Sequence, residues 1–172
     1  MSCALTSGYS LACKDSSGGI VEIYFIEKAN VTAINESSGT VTGLTKAAGK
    51  RFWKYELPKE TGFLTETITG NTQNGVVFYS SELKLVINRL TVAVRNEIRL
   101  LAQNTLIVVV KDNNDAFWLI GRKNGIDLTS GSMATGTAFG DRSGFDLNFT
   151  GIEPDPMLAV NSTVANALQT AG

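Results

Sequence analysis

The chain has 172 residues, of which 43% are hydrophobic and only 18% charged, with a formal net charge of −1 and no histidine. This length suits one domain with a real core, and the near-zero charge argues against a dedicated nucleic-acid binder, which needs a positive excess to displace counterions. Without histidine, Ser/His/Asp and Cys/His nucleophilic sites and Cys/His zinc clusters are excluded.

Residues 1–18 are small and polar and end in Asp15-Ser16-Ser17-Gly18-Gly19, so they are expected to form an N-terminal arm. The two cysteines, Cys3 and Cys13, both fall in it. A bridge between them would need an oxidising compartment. The segment has no basic region followed by an apolar run, so no export signal is expected and two thiols are. No stretch approaches the roughly 20 apolar residues of a membrane helix.

Ile20–Lys28 (IVEIYFIEK) is the first expected strand, with Val21, Ile23 and Phe25 on one face and Glu22, Tyr24 and Ile26 on the other. Asn30–Lys46 reads as a weaker hairpin turning at Glu36-Ser37-Ser38-Gly39. Arg51–Leu57 alternates again, and Pro58 stops it because proline cannot donate to a ladder. In Thr61–Thr69, Phe63, Thr65, Thr67 and Thr69 share one side, while Leu64, Glu66 and Ile68 share the other. A polar loop, 70–75, leads into one long strand or two broken ones over Val76–Asn88.

Leu90, Val94, Ile98 and Leu101 recur at the spacing of one helical face, so a helix is expected after Thr91, its N-cap, with Asn104 as a left-handed stop. A helix of about 13 residues is marginal alone and must dock on a sheet to persist. Leu106–Val110 is β-branched and apolar on both faces, as a strand covered on both sides should be. It turns at Asp112-Asn113-Asn114-Asp115 and returns through Ala116–Ile120, where Trp118, like Trp53 earlier, has apolar strand neighbours that suggest core. Gly125–Gly140 lacks periodicity and is expected to be an extended loop. Ser143–Thr150 is a clean strand, and beyond Pro154 and Pro156 only a weak helical pattern remains, over Met157–Leu168. The expected fold is mainly β: a β-sandwich or partial barrel with one packed mid-chain α-helix, in a single domain over 1–172.

No catalytic constellation emerges, and the chain is not expected to be an enzyme. Glu22, Glu27, Glu56 and Glu66 are spread over strands as solvated faces rather than paired for acid–base work. The 112–115 cluster lacks calcium-loop spacing and suits a tight turn. Lys46, Lys50, Arg51 and Lys54 suit a charged sheet edge. No cofactor or metal is implied.

The runs AQNTLIVVVKD (102–112) and DAFWLIGRKNG (115–125), with Thr135-Gly136-Thr137-Ala138, Gly140–Phe145 and Asn148–Gly151, resemble structural proteins of tailed bacteriophages. The nearest type is the tail-tube protein of phages infecting Bacteroidetes. The similarity extends more weakly to Met1–Lys28 and Lys50–Pro58. It implies a β-sandwich with one flanking helix that self-assembles into rings, hexameric in the tail tube and stacked around a channel for genome delivery. Partners would be further copies of the chain, other virion tail or neck proteins, and DNA that passes without specific binding; no membrane is involved. The location implied is the virion tail, with the host cytoplasm during assembly. On this footing Thr65, Glu66 and Thr67, with Glu56 as a further candidate, are expected to face the channel. Thr129, Ser130, Met133, Thr135, Asp141 and Arg142 are expected at contacts between subunits. Two alternatives are another ring-forming neck, terminator or connector protein, and a non-catalytic β-sandwich binding module for a fibre or carbohydrate. The second would normally show an exposed aromatic platform.

Overall fold

A computed structural model describes residues 5, 7–11 and 13–172; Cys3, and with it the question of a Cys3–Cys13 bridge, lies outside the described residues. The elements begin with β1 (Ile20–Glu27), a 3-10 turn (Lys28–Asn30), β2 (Val31–Ser37), β3 (Thr40–Lys46) and β4 (Trp53–Glu56). There follow β5 (Phe63–Asn71), β6 (Val76–Asn88), α1 (Val92–Gln103), β7 (Leu106–Asp112) and β8 (Phe117–Ile120). The chain closes with β9 (Asp127–Ala134), β10 (Gly144–Glu153), β11 (Leu158–Val160) and α2 (Ser162–Asn166).

Two sheets result. The large one has the order β2-β3-β11-β8-β7-β1-β4, and the small one the order β5-β6-β10-β9. The expected mainly-β sandwich with a packed helix is what the chain forms, and neither sheet closes into a barrel. The large sheet is nevertheless strongly curled. β1 and β2 stand five places apart, roughly 24 Å in a flat sheet, yet only Lys28–Asn30 joins them. That link reaches about 14 Å at full stretch, so the sheet must bend round on itself.

The curl creates two cores. Between the sheets lie Ile23, Phe25, Val108, Leu83, Leu85, Leu147 and Phe149. Inside the curl lie Tyr24, Ile26, Val41, Phe52, Ile107 and Val109, sealed by Ala165 of α2 and by Leu168. β7 supplies both cores, which is why Leu106–Val110 has no polar face. Val21 leaves the face expected of it. The pairing of β1 with β7 slips between Ile20 and Glu22, and this bulge turns Val21 outward and Ile20 inward.

The face of α1 is as expected, with Leu90, Val94, Ile98 and Leu101 against the first core. Thr91 Oγ1 accepts the Val94 N–H at 3.2 Å. Asn104 is not a left-handed stop: its backbone is extended (φ −117°, ψ 145°), and its side-chain amide instead donates to Leu100 O at 2.8 Å. That bond satisfies one of the orphan carbonyls at the helix end.

Half of the expected loop over 125–140 is β9. Its alternation is hidden because the β10 pairing shifts between Asn148 and Phe149, so the inward positions run Leu128, Gly131, Met133. One of those is glycine, and the outward side is small and polar. Ile126, just before the strand, is fully buried. β11 was also unexpected, since a strand of three residues between two prolines and a helix offers no period to read. β5 runs on to Asn71, shrinking the next loop to 72–75, and β6 is one unbroken strand. No helix among the described residues is long and apolar enough to cross a membrane.

Candidate functional site

The small sheet presents a hydroxyl-rich outer face between two unpaired edges. Along β5 the pleat sends Leu64 into the core and leaves Thr65 and Thr67 exposed on the outside. Register puts Thr65 beside Glu82 and Thr67 beside Ser80, with Thr150 of β10 next to Glu82 and Ser130 of β9 next to Asn148. The few charges there are neutralised locally. Lys84 Nζ lies 2.9 Å from Glu82, whose carboxyl is held below its ordinary value chiefly by that bond. Asn148 Nδ2 donates to Glu82 at 3.2 Å, while no donor among the described residues reaches its buried Oδ1. One end of the face is an open trough of about 890 Å³ that spans all four strands from Phe63 through Lys84 and Asp146 to Ser132.

Glu66 departs from the channel-facing set. Alternation alone puts it on the opposite side from Thr65 and Thr67. Its carboxylate accepts the Met157 N–H at 2.9 Å and the Ser81 hydroxyl at 3.4 Å. It joins the small sheet to the segment entering β11. Glu56 also lies elsewhere, on the edge of the large sheet, where Lys54 Nζ is 2.9 Å away. Lys54 also pairs with Glu22 at 2.7 Å, and Tyr24 donates to Glu22 at 2.6 Å. Burial pushes the Glu22 carboxyl up, but the Lys54 and Tyr24 bonds outweigh it and hold the group below its ordinary value.

The expected contact residues gather at and beyond β9, the free edge opposite β5. Thr129, Ser130 and Met133 are exposed on the strand itself, and Thr135 is exposed just after it. Asp141 and Arg142 are exposed, but their charges are engaged within the chain. Asp141 accepts the N–H groups of Ala138 (2.7 Å) and Thr137 (2.8 Å), which hold its carboxyl low, and Arg142 pairs with Asp146. This internal bracing presents Phe139, fully exposed at the loop tip and not singled out by sequence.

Glu153 likewise carries no signal in the sequence. It is only 6% exposed, and one of its oxygens accepts three successive N–H groups: Lys123 (3.0 Å), Asn124 (2.8 Å) and Gly125 (3.2 Å). The Gly121–Gly125 turn wraps this carboxylate, and both glycines have positive φ (77° and 90°). A Cβ on Gly121 would stand 2.9 Å from Leu106 O. Only the glycine pair hints at the turn in sequence; the acceptor is 28 residues distant from Gly125.

The remaining polar clusters are spent on structure. Asp112 Oδ1 accepts from Asn114 N (2.8 Å) and Ala116 N (2.9 Å), and Oδ2 from Trp118 Nε1 (3.1 Å), which makes 112–115 a self-capped turn. No group of three or more potential metal ligands occurs among the described residues. In the basic cluster, Lys46 caps the carbonyls of Ala167 (2.8 Å) and Thr170 (2.6 Å), and Arg51 lies over Trp53 at 4.5 Å. Trp53 is not core: it is 55% exposed on the edge strand β4. Trp118 is half-buried.

No family model matches the chain, and no curated protein or solved structure is significantly similar to it.

Proposed function

We propose that this chain is a virion structural protein that closes into a ring, β9 of one copy pairing with β5 of the next, the outer face of the small sheet lining a central channel. Strand parity carries this proposal. The small sheet has four strands, each antiparallel to its neighbour, so β5 and β9 run in opposite directions. Copies related by rotation about an axis along the strands would then meet β9 to β5 antiparallel, and the alternation would continue around the ring. The edges are similar in length, with nine residues in β5 and eight in β9, and the register across the sheet brings Phe63–Thr65 level with Asp127–Ser130. Closure would remove two open edges that otherwise invite indiscriminate pairing.

The character of the outer face supports the same conclusion. It is hollowed at one end, and its hydroxyls offer a wetted wall with Lys84 already neutralised by Glu82. A polyanion can slide past such a surface, whereas a lysine-rich wall would hold it. The resemblance to tail-tube proteins supplies the remaining detail: hexameric rings stacked into a tube, DNA as the passing cargo, and other tail or neck proteins as neighbours. A neck, terminator or connector ring would use the same joint.

One observation favours a second reading as a binding module, namely the exposed Trp53. It stands alone rather than in a platform, and Arg51 covers one face of its ring. Negative-stain electron microscopy with light-scattering mass decides between the two. Uniform rings or hollow tubes are expected; a strict monomer at high concentration that binds a glycan array would overturn the proposal.

A further inference from the structure

The residues ahead of β1 leave the fold with their large side chains uncovered. Leu5, Tyr9 and Leu11 are 98%, 89% and 90% exposed, and the described residues from 5 to 18 form neither helix nor strand. Leu5, Tyr9, Leu11 and Cys13 occupy odd positions together with Ser7 and Asp15, while Gly8, Ser10, Ala12 and Lys14 occupy even ones. Laid out as a strand, the segment carries its three large apolar side chains on one side.

A complementary surface lies at the end of the large sheet. β4 is its last strand, and its outer edge has no strand partner among the described residues. Beside that edge an apolar groove runs between β4 and α1. One chamber of about 220 Å³ is lined by Phe25, Trp53, Tyr55, Leu100 and Leu101 together with Glu27 and Glu97. A second, of about 270 Å³, continues past Tyr55 toward Ile87 and Val94. A free backbone edge above an apolar floor is what an extended peptide with alternating side chains recognises.

The arm leaves its own chain on the β7 side of β1, away from the β4 edge. Ser17 N donates to Asn114 Oδ1 at 2.8 Å and Asn114 Nδ2 donates to Ser17 O at 2.9 Å, so the arm departs over the β7–β8 turn. β7 and β4 flank β1 on opposite sides. Residues 5–16 span roughly 40 Å when extended, enough to reach a neighbouring molecule.

We propose that residues 5–16 of one copy add as a strand to the β4 edge of a second copy, with Leu5, Tyr9 and Leu11 seated in the groove between Trp53 and α1. The even-numbered side then faces Glu22, Lys54 and Glu56, and Lys14 brings a cation toward Glu56, whose side chain is 77% exposed. This contact is separate from the β5–β9 joint and does not depend on it.

Cysteine cross-linking between full-length chains tests the exchange. In a Cys3→Ser, Cys13→Ser background, a tagged chain carrying Tyr9→Cys is mixed with an untagged chain carrying Leu100→Cys and mildly oxidised. A disulfide product joining the two chains is expected, falling at least fivefold when the second chain also carries Trp53→Glu. Leu11→Glu in the arm should cause the same fall without touching the groove, which covers the case of a Trp53 variant that fails to fold. Lysines placed on both small-sheet edges should leave the product intact. No mixed product, or a disulfide that forms only within single chains carrying both cysteines at every dilution, overturns the proposal.

Discussion

Glu66 on β5 accepts the backbone N–H of Met157 at 2.9 Å, across 91 residues of sequence. A carboxylate on an exposed edge strand therefore acts as a clasp between the small sheet and the segment that leads into β11. Glu66→Ala should leave the Met157 amide unpaired and lower stability by about 1–2 kcal/mol in urea unfolding. Glu66→Gln, which keeps an acceptor, should recover most of it. An alanine variant as stable as the parent would mean the clasp contributes nothing.

Removing Glu153 should do more damage, because one buried side chain satisfies three consecutive amides. We expect Glu153→Ala to cost about 3 kcal/mol and Glu153→Gln roughly half of that. Amide exchange of Lys123, Asn124 and Gly125 should accelerate together in the alanine variant. Protection that survives would show that some other acceptor holds the turn.

Alkaline pH should destabilise the fold through two phenols. Tyr24 and Tyr55 are both pushed up to about 12 from the ordinary 10.0, first by burial and then by the Glu22 bond for Tyr24 and the Glu97 charge for Tyr55. Below pH 10 both are neutral whether folded or unfolded, and their contribution is fully present. Between pH 10 and about 12 the unfolded chain ionises them and the folded chain does not, so stability falls as pH rises. Ultraviolet titration should show two of the four tyrosines ionising late, and Tyr24→Phe should remove one of them. All four ionising together in the folded protein would contradict this.

The ring joint can be tested by charge reversal. Thr65 and Ser130 lie on the same outer face, on the two edges that the proposal brings together, within two residues of the same level across the sheet. Lysine at both positions should block assembly by placing like charges across the joint. Thr65→Lys with Ser130→Glu should restore it, as read by light scattering at matched concentration. Each side chain is exposed, so Tm should move little in either variant. Equal assembly of both variants would remove β5 and β9 from the interface.

The sequence revealed elements whose partners are near and regular, and lost those whose partners are distant or interrupted. The face Leu90–Val94–Ile98–Leu101 and the Thr91 cap depend on local spacing alone, so they were legible. The run Leu106–Val110 declared itself by lacking a polar face. Val21 was misplaced by a bulge that only its pairing with β7 reveals. β9 hid behind a second bulge and a glycine at an inward position. Glu66 and Glu153 look like any surface glutamate until the fold brings backbone amides to them. At the candidate site, the exposure of Thr65 and Thr67 followed from alternation, but the same alternation ruled out placing Glu66 with them. Trp53 is exposed although its apolar strand neighbours suggest core, because such neighbours say nothing about whether a strand is the last in its sheet.

The place of β11 has a consequence for how the molecule is made. Among the described residues the β2–β3 hairpin is hydrogen-bonded into the rest of the large sheet only through β11, which lies between β3 and β8. A hairpin formed early in synthesis must therefore wait until Leu158–Val160 has left the ribosome before it has a sheet to join. Until then β3 and β8 each present an unpaired apolar edge, the kind that sticks to other nascent chains. Completion of the large sheet thus waits on residues 158–160, and a ribosome stalled before residue 158 would carry a chain whose first hairpin remains open to chaperones and proteases.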